Sequence, residues 1–136
     1  MIERKYISEN GNANGFYSGQ TALNMLGFST QMPNTIEICT NNETSKLRNV
    51  KVGNQAVILR RSRVKITNEN LNILQFLELM NTVSADFFDD ARKEILSKWI
   101  IENNITRKLL SEYAPKFPDK AMRNLVESEV IYCVAQ

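Results

Sequence analysis

The apolar positions of this chain change their period near residue 67. Before it they alternate in short runs, and after it they recur at i, i+3 and i+4. Thr35-Ile36-Glu37-Ile38-Cys39-Thr40 sets two isoleucines against Glu37 and Cys39, which predicts a strand. Leu47 to Val52 alternates in the same way and predicts a second strand. Gly53-Asn54 follows as the tight reversal of a hairpin. Gln55 to Arg60 then holds the continuous run Ala-Val-Ile-Leu, the pattern of a strand covered on both faces. Upstream, Tyr6 and Ile7 suit a short strand or ordered arm within 1–8, and Asn10 to Gly15 is turn chemistry. Gly15 to Pro33 predicts a short helix over 18–26. Ser18 is its expected cap, Ala22, Leu23 and Leu26 form its apolar face, Gly27 stops it, and Pro33 forbids an early restart.

The second half reads as helices. Asn68 is placed to cap one over 69–81, with Leu71, Leu74, Phe76, Leu77 and Met80 as its buried stripe. Ser84 is expected to cap a second over 85–103, with Asp86 near its positive end and Phe88, Ala91, Ile95, Leu96 and Trp99 on one face. Thr106 caps a third over 107–113, ahead of Pro115. Asp119 caps a fourth over 120–133, carrying Met122, Leu125, Val126, Val130 and Cys133. Strands followed by helices argue the α+β class: a small, mostly antiparallel sheet in 1–66, packed by a tail of about four helices in 67–136. At 136 residues the chain reads as a single domain.

Composition narrows the chemistry. No apolar run approaches the ~20 residues of a membrane span, and no apolar segment follows the charged start Glu3-Arg4-Lys5, so a cytoplasmic protein is expected. Cys39 and Cys133 lack metal-ligand spacing and read as reduced thiols. There is no histidine, which removes the usual general base, metal ligand and pH switch. No cofactor motif is present. Gly11 to Gly15 lacks the Lys-Ser/Thr that a phosphate loop requires.

Charge is uneven. Residues 1–66 carry nine Lys/Arg and four Asp/Glu, a balance of +5, and residues 67–136 carry eight and eleven, a balance of −3. Between Glu43 and Glu69 every charge is positive: Lys46, Arg48, Lys51, Arg60, Arg61, Arg63 and Lys65. If 61–65 is extended, Arg61, Arg63 and Lys65 point to one side. Such a ribbon is a candidate contact for phosphates of DNA or RNA, or for a protein partner, and it is equally the solvated face of a sheet. Asp86, Asp89, Asp90 and Glu94 are the one acidic cluster. Their spacing could converge on a metal in a histidine-free nuclease or transferase. The plainer reading is that they favour a helix N-terminus, and no metal or catalytic residue is assigned.

The stretch Gly15-Phe16-Tyr17-Ser18-Gly19, with Ala22-Leu23-Asn24-Met25-Leu26-Gly27 and Ser29-Thr30-Gln31-Met32-Pro33, resembles the signature of AbiEi-type antitoxins of bacterial type IV toxin–antitoxin systems. The strand at 36–40, the basic strand near Val57 to Arg61, and Tyr113-Ala114-Pro115-Lys116-Phe117-Pro118 are similar too. The resemblance implies a non-enzymatic antitoxin with a part in abortive infection and negative autoregulation. It would counteract a nucleotidyltransferase-like toxin without a stable complex. Family members usually begin with a winged helix-turn-helix that binds the operator, and there is no room for one before Gly15. The expectation is therefore either a fragment of a longer protein or a member without the DNA-reading head; the resemblance is to the C-terminal antitoxin domain, and no operator-reading residue carries over.

Overall fold

The computed structural model describes residues 6–29 and 34–134. The expected features at 1–5 and at Thr30 to Pro33 lie outside them. The chain divides into two compact units, Met1–Leu71 and Asn72–Gln136; the strands lie in the N-terminal half and, one short helix apart, the helices lie in the C-terminal half, an α+β arrangement.

The first unit opens with a minimal hairpin, β1 (Ser8–Glu9) and β2 (Asn12–Ala13), turned through Asn10 and Gly11, both at positive φ. A four-stranded sheet follows: β3 (Gly15–Tyr17), β4 (Thr35–Thr40), β5 (Leu47–Val52) and β6 (Gln55–Arg61), in the order β3-β4-β6-β5. Gly15, expected in the turn, is the first residue of β3. Pairings β3–β4 and β5–β6 are antiparallel, and β4–β6 is parallel. β6 is an inner strand, but it is not covered on both faces as expected: Val57 and Leu59 are buried, whereas Ala56 and Ile58 on the other face are half-buried. Ile38, Val57 and Leu59 form the sheet's buried cluster with Tyr6. The buried Thr40 hydroxyl donates to the carbonyl of Tyr6 at 2.9 Å and tethers the N-terminal segment.

Helix α1 (Gly19–Met25) ends in a Schellman motif. Phe28 N–H bonds the Leu23 carbonyl at 2.8 Å, and Gly27 N–H bonds that of Asn24 at 3.1 Å. Ser18 occupies the cap position, but its hydroxyl is turned to Glu37 instead of the helix N–H groups. Asn68 is likewise not a cap. Its amide spans the β1–β2 hairpin, accepting from Ala13 N–H at 2.7 Å and donating to the Gly11 carbonyl at 3.2 Å. Thr67 and Asn70 do the capping reciprocally: Asn70 N–H bonds Thr67 Oγ1 at 3.2 Å, and Thr67 N–H bonds Asn70 Oδ1 at 2.8 Å.

In the second unit α2 (Leu71–Thr82) buries Ile73, Leu74, Phe76, Leu77, Leu79 and Met80, more than a single stripe. The segment expected as one helix over 85–103 is broken. A 3₁₀ turn, Ala85–Phe87, precedes α3 (Asp90–Glu102), and Asp89, not Ser84, caps it through Arg92 N–H at 2.9 Å. Its buried residues are Leu96 and Ile100, whereas Ile95 is exposed and Trp99 is half-buried, stacked on Phe76 at 6.2 Å between ring centres. Thr106 caps α4 (Arg107–Tyr113) as expected. Helix α5 (Asp119–Glu127) starts one residue early, so Asp119 lies inside it and Pro118 precedes it. It also stops short: Glu129, at φ 66°, separates it from a 3₁₀ turn, Val130–Cys133. Leu125 and Val130 are buried there, and Val126 faces outward.

Candidate functional site

Four of the seven candidate cations, Arg48, Lys51, Arg60 and Arg61, lie in the sheet of the first unit, and strand register decides the face of each. Residues opposite one another in a sheet share a face. On the face of the buried cluster, Arg48 pairs across from Leu59, and Arg61 is two residues on from Leu59. Lys51 and Arg60 belong to the other face, with Ala56, Ile58 and Glu37. Lys46 precedes β5, and Arg63 and Lys65 follow β6. The seven therefore do not form a single stripe.

Arg48 and Arg60 are held by carboxylates. Arg48 Nε donates to Glu43 Oε2 at 2.8 Å, and the Glu43 side chain is only 4% exposed. The hydrogen bond from Arg48 holds the Glu43 carboxyl below its ordinary range, against the opposing effect of burial. The same contact raises Arg48. On the opposite face Arg60 Nε donates to Glu37 Oε2 at 3.1 Å. Ser18 Oγ donates to the same oxygen at 2.9 Å, and Thr21 Oγ1 accepts from Glu37 N–H at 3.0 Å. Gly19 sits over this carboxylate at φ +56°, and a Cβ there would lie 2.6 Å from both oxygens. The Tyr17-Ser18-Gly19 turn is thus built around Glu37, and the arginine on β6 completes the cluster.

Lys46, Lys51, Arg61, Arg63 and Lys65 are exposed. The ladder ends at Arg61, yet the alternation persists. Ser62 and Val64 are half-buried and Ile66 is buried, while the three basic residues between and before them face outward. Ser62 Oγ bonds the Val64 carbonyl, and Asn41 pins Ile66 by two reciprocal bonds of 2.8 and 2.9 Å. The exit segment is therefore held to the end of β4, and Arg61 Nη1 reaches the Thr44 carbonyl at 3.1 Å. A polar recess of about 420 Å³ adjoins Lys65, lined by Asn12, Asn14, Asn41, Thr67 and Asn68 among others.

Of the acidic cluster in the second unit, Asp89 and Glu94 make separate contacts. Asp89 caps α3 and lies 3.9 Å from Arg92, and Glu94 lies 3.8 Å from Lys98. Among the described residues no three His, Cys, Asp or Glu side chains are grouped to hold a metal ion. No described helix is long and apolar enough to cross a membrane.

Glu37 and Glu43 were the residues that sequence reasoning missed. Glu37 is hidden in an apolar alternation. Glu43 gave a weak signal, opening the acid-free stretch five residues before Arg48.

Compared with known proteins, the chain matches no family model, no curated protein and no solved structure.

Proposed function

We propose that this chain is a non-enzymatic antitoxin-type domain, of the kind its Gly15 to Pro33 stretch resembles. In this reading it acts in the cytoplasm to counteract a nucleotidyltransferase-like toxin in phage defence, without a stable complex and without a cofactor. The observation that carries the reading is the joint around Glu37. Tyr17, Ser18 and Gly19, which carry much of the resemblance, shape a turn closed on a strand carboxylate. Such residues maintain a scaffold, and a scaffold of this kind acts by what its surface touches. The test is co-expression with a nucleotidyltransferase-like reading frame from the chain's own genomic neighbourhood. Growth restored by the chain, and lost when Gly19→Val disrupts the joint, is the expected result. Persistent toxicity with the folded chain present overturns the proposal.

A second reading has its own support. Arg61, Arg63 and Lys65 are exposed along the exit of β6, with Lys46 exposed before β5 and Lys51 on the opposite face of the sheet; the exposed row at the exit suits backbone phosphates without base readout. This docking role is compatible with a regulator-like, DNA-associated antitoxin.

A further inference from the structure

Strand β5 is one edge of the four-stranded sheet, and among the described residues nothing pairs with its outer side. Backbone groups of an antiparallel strand point alternately toward and away from the neighbour. Arg61 N–H bonds the Lys46 carbonyl at 3.3 Å, which marks that pair as a hydrogen-bonded one. By alternation Arg48, Val50 and Val52 also bond β6, and the N–H and C=O groups of Leu47, Asn49 and Lys51 point outward. All three of these residues are exposed. The face of β5 on the side of the buried cluster is graded along its length. Lys46 and Arg48 are exposed at one end, and Val50 and Val52 are half-buried at the other, against Ile38, Val57 and Leu59. Glu43 takes the Nε–H of Arg48, yet half of that arginine side chain stays in water.

We propose that this edge takes up an extended acidic segment of a protein partner as an added antiparallel strand. The outward N–H and C=O groups form the new ladder, the mode by which exposed sheet edges bind peptides. Apolar side chains of the segment beside Val50 and Val52 finish covering the cluster. Asp or Glu beside Arg48 and Lys46 meets opposite charge across the strands. Read from its N-terminus, the segment therefore runs apolar first and acidic last on one face. The same cations tell against a second copy of the chain, which would bring them to the joint twice; charged edges avoid pairing with one another in this way. The inference goes beyond the antitoxin reading and is independent of it, and its test uses no toxin.

The probe is a fluorescein-labelled peptide, SVTVTETES, read by anisotropy with the chain titrated to about 1 mM to reach sub-millimolar dissociation constants. Saturable binding is expected. Changing both glutamates of the peptide to lysine should weaken it by about fivefold or more, the size of two cross-strand charge pairs. N-methylation of the central threonine, which lies opposite Asn49, should weaken it by about tenfold through a lost ladder bond. On the protein, Asn49→Pro removes a donor that faces away from β6 and should abolish binding. Lys46→Glu should weaken the glutamate peptide and favour the lysine one. Amide exchange of the unaltered chain gives the pattern directly, a readout that holds even if Asn49→Pro misfolds. Leu47, Asn49 and Lys51 should become protected on binding, whereas Arg48, Val50 and Val52 should be protected with or without peptide. Absence of saturable binding, equal affinity for the lysine peptide, indifference to N-methylation, or no protection of Leu47, Asn49 and Lys51 overturns the proposal. So does protection of these three in the free chain that grows with its concentration, the signature of a second copy on the edge.

Discussion

Arg48 holds Glu43 through Nε at 2.8 Å while keeping half of its own side chain in water. The asymmetry matters, because the buried partner is the one that needs the other. A carboxyl held below its ordinary value of 4.5 contributes stability above that pH, and loses it as pH falls through the folded value. Wild-type stability should therefore exceed that of Glu43→Gln above pH 4.5, with the gap closing as the pH falls further below it. Arg48→Met should be the more damaging change near neutrality, since it strands a buried charge, and acid should relieve part of its defect. Urea melts of the three proteins at several pH values check both statements.

Asn124 makes the corresponding buried contact in the second unit. Its Nδ2 donates to the carbonyl of Met80 at 2.9 Å and to that of Val83, satisfying the end of α2. Asn124→Leu should cost about 1–3 kcal/mol by leaving these buried carbonyls without their donor. A thermal melt showing less than about 0.5 kcal/mol of loss would mean that solvent replaces the amide.

Glu129 sits at φ 66°, where an L-residue with a long side chain pays roughly 1–2 kcal/mol. Glu129→Gly should stabilise the protein by about 0.5–1 kcal/mol, because the relieved strain is partly offset by glycine's freer unfolded chain. Asn104, also left-handed at φ 54°, should gain less from the same change, since asparagine tolerates that region better. Denaturant midpoints of the two variants give the comparison.

Binding to a random duplex should be weak, with a dissociation constant of about 10⁻⁴ to 10⁻⁶ M at physiological salt, and should weaken linearly in log–log salt plots. Arg61→Glu with Arg63→Glu should abolish it in a protein that still folds, as both side chains are exposed, at the cost of the Arg61 bond to the Thr44 carbonyl. Arg60→Gln should act differently, disturbing the Glu37 cluster and the fold before it disturbs binding. Fluorescence anisotropy at two salt concentrations decides this. Undetectable binding at low salt would leave the cations as a solvated face, and tight sequence-selective binding would require a reading element beyond them.

The three longer strands were legible because side-chain alternation is a local signal, whereas the two- and three-residue strands Asn12–Ala13 and Gly15–Tyr17 are too short to show one. Thr35–Thr40 and Leu47–Val52 have the bounds their pattern indicates, and β6 differs by one residue. Helix starts were legible only where the side chain had no rival partner. Thr106 caps α4, but Ser18 is drawn to Glu37 and Asn68 to the β1–β2 hairpin, contacts 19 and 55 residues away in sequence. The face of α3 was read in part: Phe88 and Leu96 are buried as expected, but Ala91 and Ile95 are exposed and Trp99 is half-buried. Ile95 and Trp99 share a helical stripe, yet burial falls on Leu96 and Ile100, and period alone cannot choose between adjacent stripes. At the candidate site, residue types were visible and their pairing was not. Strand pairing brings Arg60 near Glu37, and the loop after β4 carries Glu43 to Arg48.

The parallel contact between β4 and β6 orders events in time. β6 meets β5 across the two-residue loop Gly53-Asn54, whereas its other neighbour, β4, is 21 positions earlier in register, Thr35 opposite Ala56. Closing the short loop costs little chain entropy and takes about 1–10 μs for a hairpin, so β5–β6 is expected to zip first. Until β4 arrives, Val57, Ile58 and Leu59 lie on a strand with one open side, an invitation to pair with another molecule. Gly53, at φ 64°, governs how quickly that exposure begins to close, because its backbone suits the loop and a branched side chain there does not. Gly53→Val should slow refolding more than it speeds unfolding in a denaturant chevron. It should also raise aggregation during refolding at high protein concentration, making this turn a control on yield in concentrated solution.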